Sequence, residues 1–82
     1  MLTNLPTLIQ GTQGQAVALL QRLLVIYGYE KYLKLNSVDG VFGVETHNAV
    51  EAFQDDHYLD KDGQVGYYTW KAMAYPFDNP NQ

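Results

Sequence analysis

The chain has 82 residues, 46% of them apolar and 17% charged, with a formal net charge of -4. That length makes one domain around one core, and the apolar share belongs to a folded protein rather than a disordered one. The five basic residues (Arg22, Lys31, Lys34, Lys61, Lys71) are scattered, which argues against a nucleic-acid partner and against docking on a membrane of anionic lipid.

In chain order, residues 1–11 form an arm, with Leu5, Leu8 and Ile9 available to lie across the core and Pro6 holding the backbone extended. A helix is expected from Thr12, where Thr12-Gln13-Gly14-Gln15 fits a capping box. Val17, Leu20, Leu23, Leu24 and Tyr27 follow at helical spacing, and Gly28 is placed to end the helix in a left-handed conformation. Residues 29–38 read as a connector with a short strand or turn. Gly40 suits a positive-φ turn and Gly43 a helix N-cap; Ala49, Val50 and Phe53 then form a buried stripe ending near Asp56 or His57. A shorter last helix carries Trp70 and Met73, and the prolines at 76 and 80 mark a frayed tail. The expected fold is all-α: a compact three-helix bundle over residues 12–75, flanked by the arm (1–11) and the tail (76–82).

The chain repeats itself. Asp39-Gly40-Val41-Phe42-Gly43-Val44-Glu45-Thr46 is echoed 23 residues later by Asp62-Gly63-Gln64-Val65-Gly66-Tyr67-Tyr68-Thr69, giving two Asp-Gly-x-x-Gly turn-to-helix phrases. Ala16-Val17-x-x-x-Gln21 likewise returns as Ala49-Val50-x-x-x-Gln54. One turn–helix unit cannot bury its apolar face alone, so copies are expected to pack together. Together with Gly11-Thr12-x-Gly14, Tyr27-Gly28-Tyr29 and Thr69-Trp70-x-x-Met73, these phrases make residues 11–74 closely resemble the peptidoglycan-binding domain type 1. The resemblance implies a three-helix, non-catalytic module, usually attached to enzymes that cut bacterial cell walls. Related modules in the prodomains of animal matrix metalloproteases contact protein instead.

Three departures from that pattern stand out. Val44 and Tyr67 replace a proline common after the second glycine of each phrase; Tyr58 replaces a glycine before Leu59; the connector at 30–38 is longer. A left-handed backbone at Tyr58 would cost on the order of 1–2 kcal/mol.

Most of the signature is structural. The glycines serve turn geometry, Gln21 and Gln54 tie loop amides, Thr46 and Thr69 bond turn backbone, and Asp39 and Asp62 cap their own turns, meeting ligand only secondarily. Seven tyrosines exceed what so small a core buries, and Tyr29, Tyr32, Tyr58, Tyr67 and Tyr68 lie in or beside connecting segments. An exposed ring stacks on a sugar's apolar face while its hydroxyl bonds to polar substituents. Trp70 is expected in the core first and as a contact second.

Enzymatic chemistry is not expected: a carboxylate pair for glycoside hydrolysis stays open in the sequence, but a bundle this small offers no deep cleft to desolvate an acid. The chain lacks cysteine, Ser37 is its one serine, and His47 and His57 do not have zinc-protease spacing. Aligning Asp60, Asp62 and Gly63 to a calcium loop puts Tyr58 and Thr69 at ligand positions, so that pattern fails. No catalytic residue, metal or cofactor is expected. The candidate ligand-binding residues are Tyr32, Asp39, Tyr58, Asp62, Tyr67, Tyr68 and Trp70.

The expected partner is bacterial peptidoglycan, glycan strand or stem peptide, with a cell-wall hydrolase or other protein in cis or in trans, and the expected state is a monomer. The competing reading is a protein-interaction or structural module that keeps the fold without glycan. The N-terminus shows no cationic region and no apolar run of secretory type, so a periplasmic or wall location implies export by fusion or a removed signal, and a cytoplasmic one stays open.

Overall fold

The protein is described by a computed structural model covering residues 5–34 and 38–78, with backbone alone for 75–78. The first four residues of the expected arm, residues 35–37 of the connector and the tail beyond residue 78 lie outside the described residues. Four helices follow one another: α1 (Gln15–Ile26), α2 (Glu30–Leu33), α3 (Val44–Asp56) and α4 (Tyr67–Asp78). The short α2 occupies what the sequence suggested was a connector, with Leu33 buried and the helix packed on α3.

Each long helix opens on a glycine. The carbonyls of Gly14, Gly43 and Gly66 accept the N–H groups of Ala18, His47 and Trp70 at 3.1, 3.0 and 3.0 Å. Gly14 and Gly43 are N-caps without any side-chain cap, so the expected Thr12 capping box does not form and α1 starts three residues later than expected. The reason is tertiary pairing. Gln13 bridges Val41 in antiparallel fashion, and the Thr12 carbonyl accepts the Phe42 N–H at 2.9 Å. Thr12 and Gln13 are therefore held out of the helix, and the Thr12 hydroxyl takes the Ile9 N–H at 3.3 Å.

Two helices end alike. After α1, Gly28 (φ +93°) donates to the Val25 carbonyl and Tyr29 to that of Leu24, at 3.0 and 2.8 Å. After α3, Tyr58 (φ +60°) donates to Asp55 and Leu59 to Gln54, at 3.4 and 2.9 Å. Both are the paired-bond motif that caps a helix C-terminus with a left-handed residue. Tyr58 thus keeps the backbone that glycine would adopt freely.

The arm is part of the fold. Leu8 and Val65 exchange both backbone bonds at 3.0 and 2.8 Å, and Gly11 donates to Phe42 at 2.8 Å. Leu8 is buried, whereas Ile9 is exposed rather than laid on the core, because successive residues of an extended segment face opposite sides. The core itself joins Val17, Leu20 and Leu24 of α1, Ala49, Val50 and Phe53 of α3, Trp70 and Met73 of α4, and Phe42 and Val65 from the turns. Tyr29 belongs to it as well, edge-on to Phe53 with ring centroids 5.7 Å apart, instead of adding to the exposed tyrosines. The Tyr27 hydroxyl donates to the Met73 carbonyl, tying α1 to α4.

The last helix is not shorter than the first: each has 12 residues. It runs past Pro76, where the expected tail begins. Pro76 sits in the final turn, where the missing N–H forfeits one bond, to the carbonyl of Ala72.

Candidate ligand-binding site

Two turns of matching chemistry flank the core. In the first, the buried Gln21 accepts the Asp39 and Gly40 N–H groups on Oε1, at 3.0 and 2.9 Å. Its Nε2 donates to Asp39 Oδ1, the Val41 carbonyl and Thr46 Oγ1, each at 3.0 Å. In the second, Gln54 Oε1 accepts the Gly63 N–H at 3.0 Å. Its Nε2 donates to Asp62 Oδ1, the Gln64 carbonyl and Thr69 Oγ1 at 3.1, 2.8 and 3.1 Å. Each aspartate also caps its own turn, accepting the N–H two residues on: Val41 to Asp39 at 3.0 Å and Gln64 to Asp62 at 2.9 Å. The Val41 N–H, followed by the Gln21 amide, holds the Asp39 carboxyl below its ordinary range. Both turns are fastened from inside by a buried amide, which fixes whatever the outer surface presents.

The outer surfaces differ. Beside the second turn lies a cleft of about 350 Å³ whose lining brings together four of the predicted residues, Tyr58, Asp62, Tyr67 and Tyr68. Tyr58 is 96% exposed, and Tyr67 and Tyr68 are 59% and 71% exposed, so three rings stand in solvent around one hollow. Tyr67 and Tyr68 meet edge to face at 5.1 Å and 80°, and the Lys71 ammonium lies 5.7 Å from the Tyr67 ring centre. Thr7 and Asp60 also line this cleft and were missed as candidates. Thr7 arrives only through the pairing of its neighbour Leu8 with Val65, a contact between distant parts of the chain that local pattern does not encode.

The other three predicted residues lie elsewhere. Asp39 lines a separate hollow of about 460 Å³ with Gly14, Gln15 and Arg22. Tyr32 lines a third one between α2 and α3, beside Glu51, Asp55 and Lys61, with the Lys31 ammonium 5.2 Å from its ring centre. Trp70 is 2% exposed, and its indole N–H donates to the Pro6 carbonyl at 2.7 Å. It is a core residue that locks the arm, closed to a ligand at this surface.

The histidines are occupied with structure. The His57 ring stacks on Phe53 at 4.0 Å, and its Nδ1 lies 2.8 Å from the Phe53 carbonyl. His47 stands 3.4 Å from Glu51 and covers the Gly63 backbone so closely that a Cβ there would fall 2.1 Å from the ring.

Turns clasped by glutamine, helices opened by glycine and a lateral aromatic cleft define a small helical binding domain, and comparison with known proteins gives the family. The peptidoglycan binding domain profile matches residues 13–73. The chain belongs to that family. It is 40% identical over 73 residues to an uncharacterized protein from the bpoA1 3′ region of Kitasatospora aureofaciens, covering 89% of this chain and 59% of that protein. Among solved structures it is similar to the SleB N-terminal domain, with a TM-score of 0.79 and 30% identity over 89% of this chain and 94% of that one. It is also similar to a peptidoglycan-binding protein of Clostridioides difficile solved with glutamine hydroxamate (TM-score 0.74, 33% identity, 84% of this chain and 40% of that one). A third likeness is to a Burkholderia AP3 phage endolysin (TM-score 0.77, 36% identity, 92% of this chain and 27% of that one). The chain therefore spans about three fifths of the Kitasatospora relative and smaller shares of two of the solved chains.

Proposed function

We propose that this chain grips bacterial peptidoglycan at the cleft beside Asp62–Gly66 and does no chemistry itself. The observation that carries the reading is the group of three exposed tyrosines around one hollow on a turn fastened from within. Flat rings suit the apolar faces of sugars, and polar edges from Asp60, Asp62 and Thr7 suit hydroxyl and amide groups. A preformed site avoids the ordering cost that a loop would incur on binding. Such a shallow contact is weak by itself, and its use is to hold a linked or associated partner near the polymer. A wall-cutting enzyme fits that role, in line with the endolysin among the similar structures. The module acts as a monomer, in the periplasm or the wall.

Co-sedimentation with insoluble sacculi at low salt tests the proposal. The wild-type chain is expected in the pellet, and the double variant Tyr67→Ala/Tyr68→Ala in the supernatant with its thermal midpoint kept, because both rings are exposed. A wild-type chain that stays in the supernatant overturns it.

A further inference from the structure

We infer that the cleft between Tyr58 and the Tyr67–Tyr68 pair receives a primary ammonium group of the wall polymer. The inference rests on the reading that this cleft grips the wall. Its lining holds two carboxylates, Asp60 and Asp62, and no basic side chain. Among the described residues nothing pairs with or hydrogen-bonds Asp60. Three exposed rings complete the lining, and the face of a phenol ring attracts a cation. Lys71 already places its ammonium over Tyr67, so the same chemistry is in use at the edge of this surface, and Tyr58 and Tyr68 keep it available.

The first turn supplies an internal comparison. It shares the glutamine bonds to aspartate Oδ1, threonine Oγ1 and the glycine N–H, yet its hollow carries Arg22 beside Asp39 and no aromatic residue. The clasp therefore does not demand an acidic, aromatic lining, and the second turn bears one on a closely similar frame. A neutral N-acetyl group would gain the ring contact and a hydrogen bond from its amide N–H, whereas an ammonium adds its full charge to the ring faces and to the carboxylates. The attraction between the cleft carboxylates and an ammonium acts at short range and is weakened by salt.

Two parts of the polymer offer such a group: a free amino group on the stem peptide and a de-acetylated amino sugar. Amide chemical shifts separate them in a titration of the wild-type chain with two probe pairs. One pair is a soluble disaccharide–peptide with a free side-chain amine and the same fragment acetylated at that amine; the other is chitobiose and N,N′-diacetylchitobiose. In at least one pair the free amine is expected to shift residues 58–69 and to bind roughly tenfold more tightly than its acetylated form. Asp60→Asn should narrow that difference, as should raised salt. Equal affinity within both pairs overturns the ammonium inference and leaves wall binding standing. No shift with any probe while the chain still pellets with sacculi also overturns it, and no shift together with no pelleting overturns both readings.

Discussion

Tyr58 holds a left-handed backbone at a helix end where the matching position after α1 is Gly28, and its ring is 96% exposed. The strain costs on the order of 1–2 kcal/mol, and so exposed a ring has little of the core within reach to offset it. Tyr58→Gly is expected to stabilise the domain by roughly 1 kcal/mol, raising the thermal midpoint by about 4–8 °C, while weakening retention on sacculi. Scanning calorimetry beside sedimentation shows whether the two move in opposite directions. Tyr29 makes the complementary case of a buried ring. Burial first, then its 2.6 Å bond to Asp56 Oδ2, pushes its hydroxyl up to about 12. The folded value lies above the ~10 of an unfolded tyrosine, so the associated stability is complete below pH 10 and drains away as pH rises through about 12. Urea titrations across that alkaline range should show a shallower decline for Tyr29→Phe than for wild type.

At the scale of elements, the two turns share a clasp but not a neighbour. Gly40 and Gly63 both have positive φ. A Cβ at Gly40 meets only the Gly14 carbonyl oxygen at 3.4 Å, whereas one at Gly63 strikes the His47 ring. Gly40→Ala is expected to cost roughly 1–2 kcal/mol of strain, and Gly63→Ala roughly 1 kcal/mol more. The added loss should vanish in a His47→Ala background, as a double-mutant cycle by chemical denaturation would reveal. The arm is likewise an element of the fold: Leu8→Ala should cost about 2–5 kcal/mol, a large part of what a domain this small possesses, and denaturation midpoints report it directly.

The same contrast explains what could be read beforehand. The stripes of α1 and α3, the left-handed Gly28 and Gly40, the glutamines tying loop amides and the aspartates capping their own turns all follow from local spacing and side-chain chemistry. The start of α1, the exposure of Ile9, the bond from Trp70 to the arm and the burial of Tyr29 do not. Each depends on the arm or on α2 meeting distant segments: Gln13 on Val41, Leu8 on Val65, Trp70 on the Pro6 carbonyl, Tyr29 on Phe53. The candidate site divides in the same way, since Tyr58, Asp62, Tyr67 and Tyr68 cluster around one turn whereas Asp39 and Tyr32, reached through other turns and helices, line separate hollows.

As a whole the molecule is a helical frame carrying an aromatic cleft, the surface proposed to meet the wall. Among the described residues no helix is long and apolar enough to cross a membrane, and the buried clasps leave little freedom for a binding surface to form only when ligand arrives. Binding should therefore move few nuclei and move them locally. The most direct measurement is an amide chemical-shift map of the wild-type chain titrated with a mixed digest of soluble muropeptides. The account predicts perturbations concentrated at Thr7 and residues 58–69, with the Arg22–Asp39 hollow silent. Perturbations centred on that hollow or on α2, or a spectrum unchanged at millimolar fragment, would contradict it.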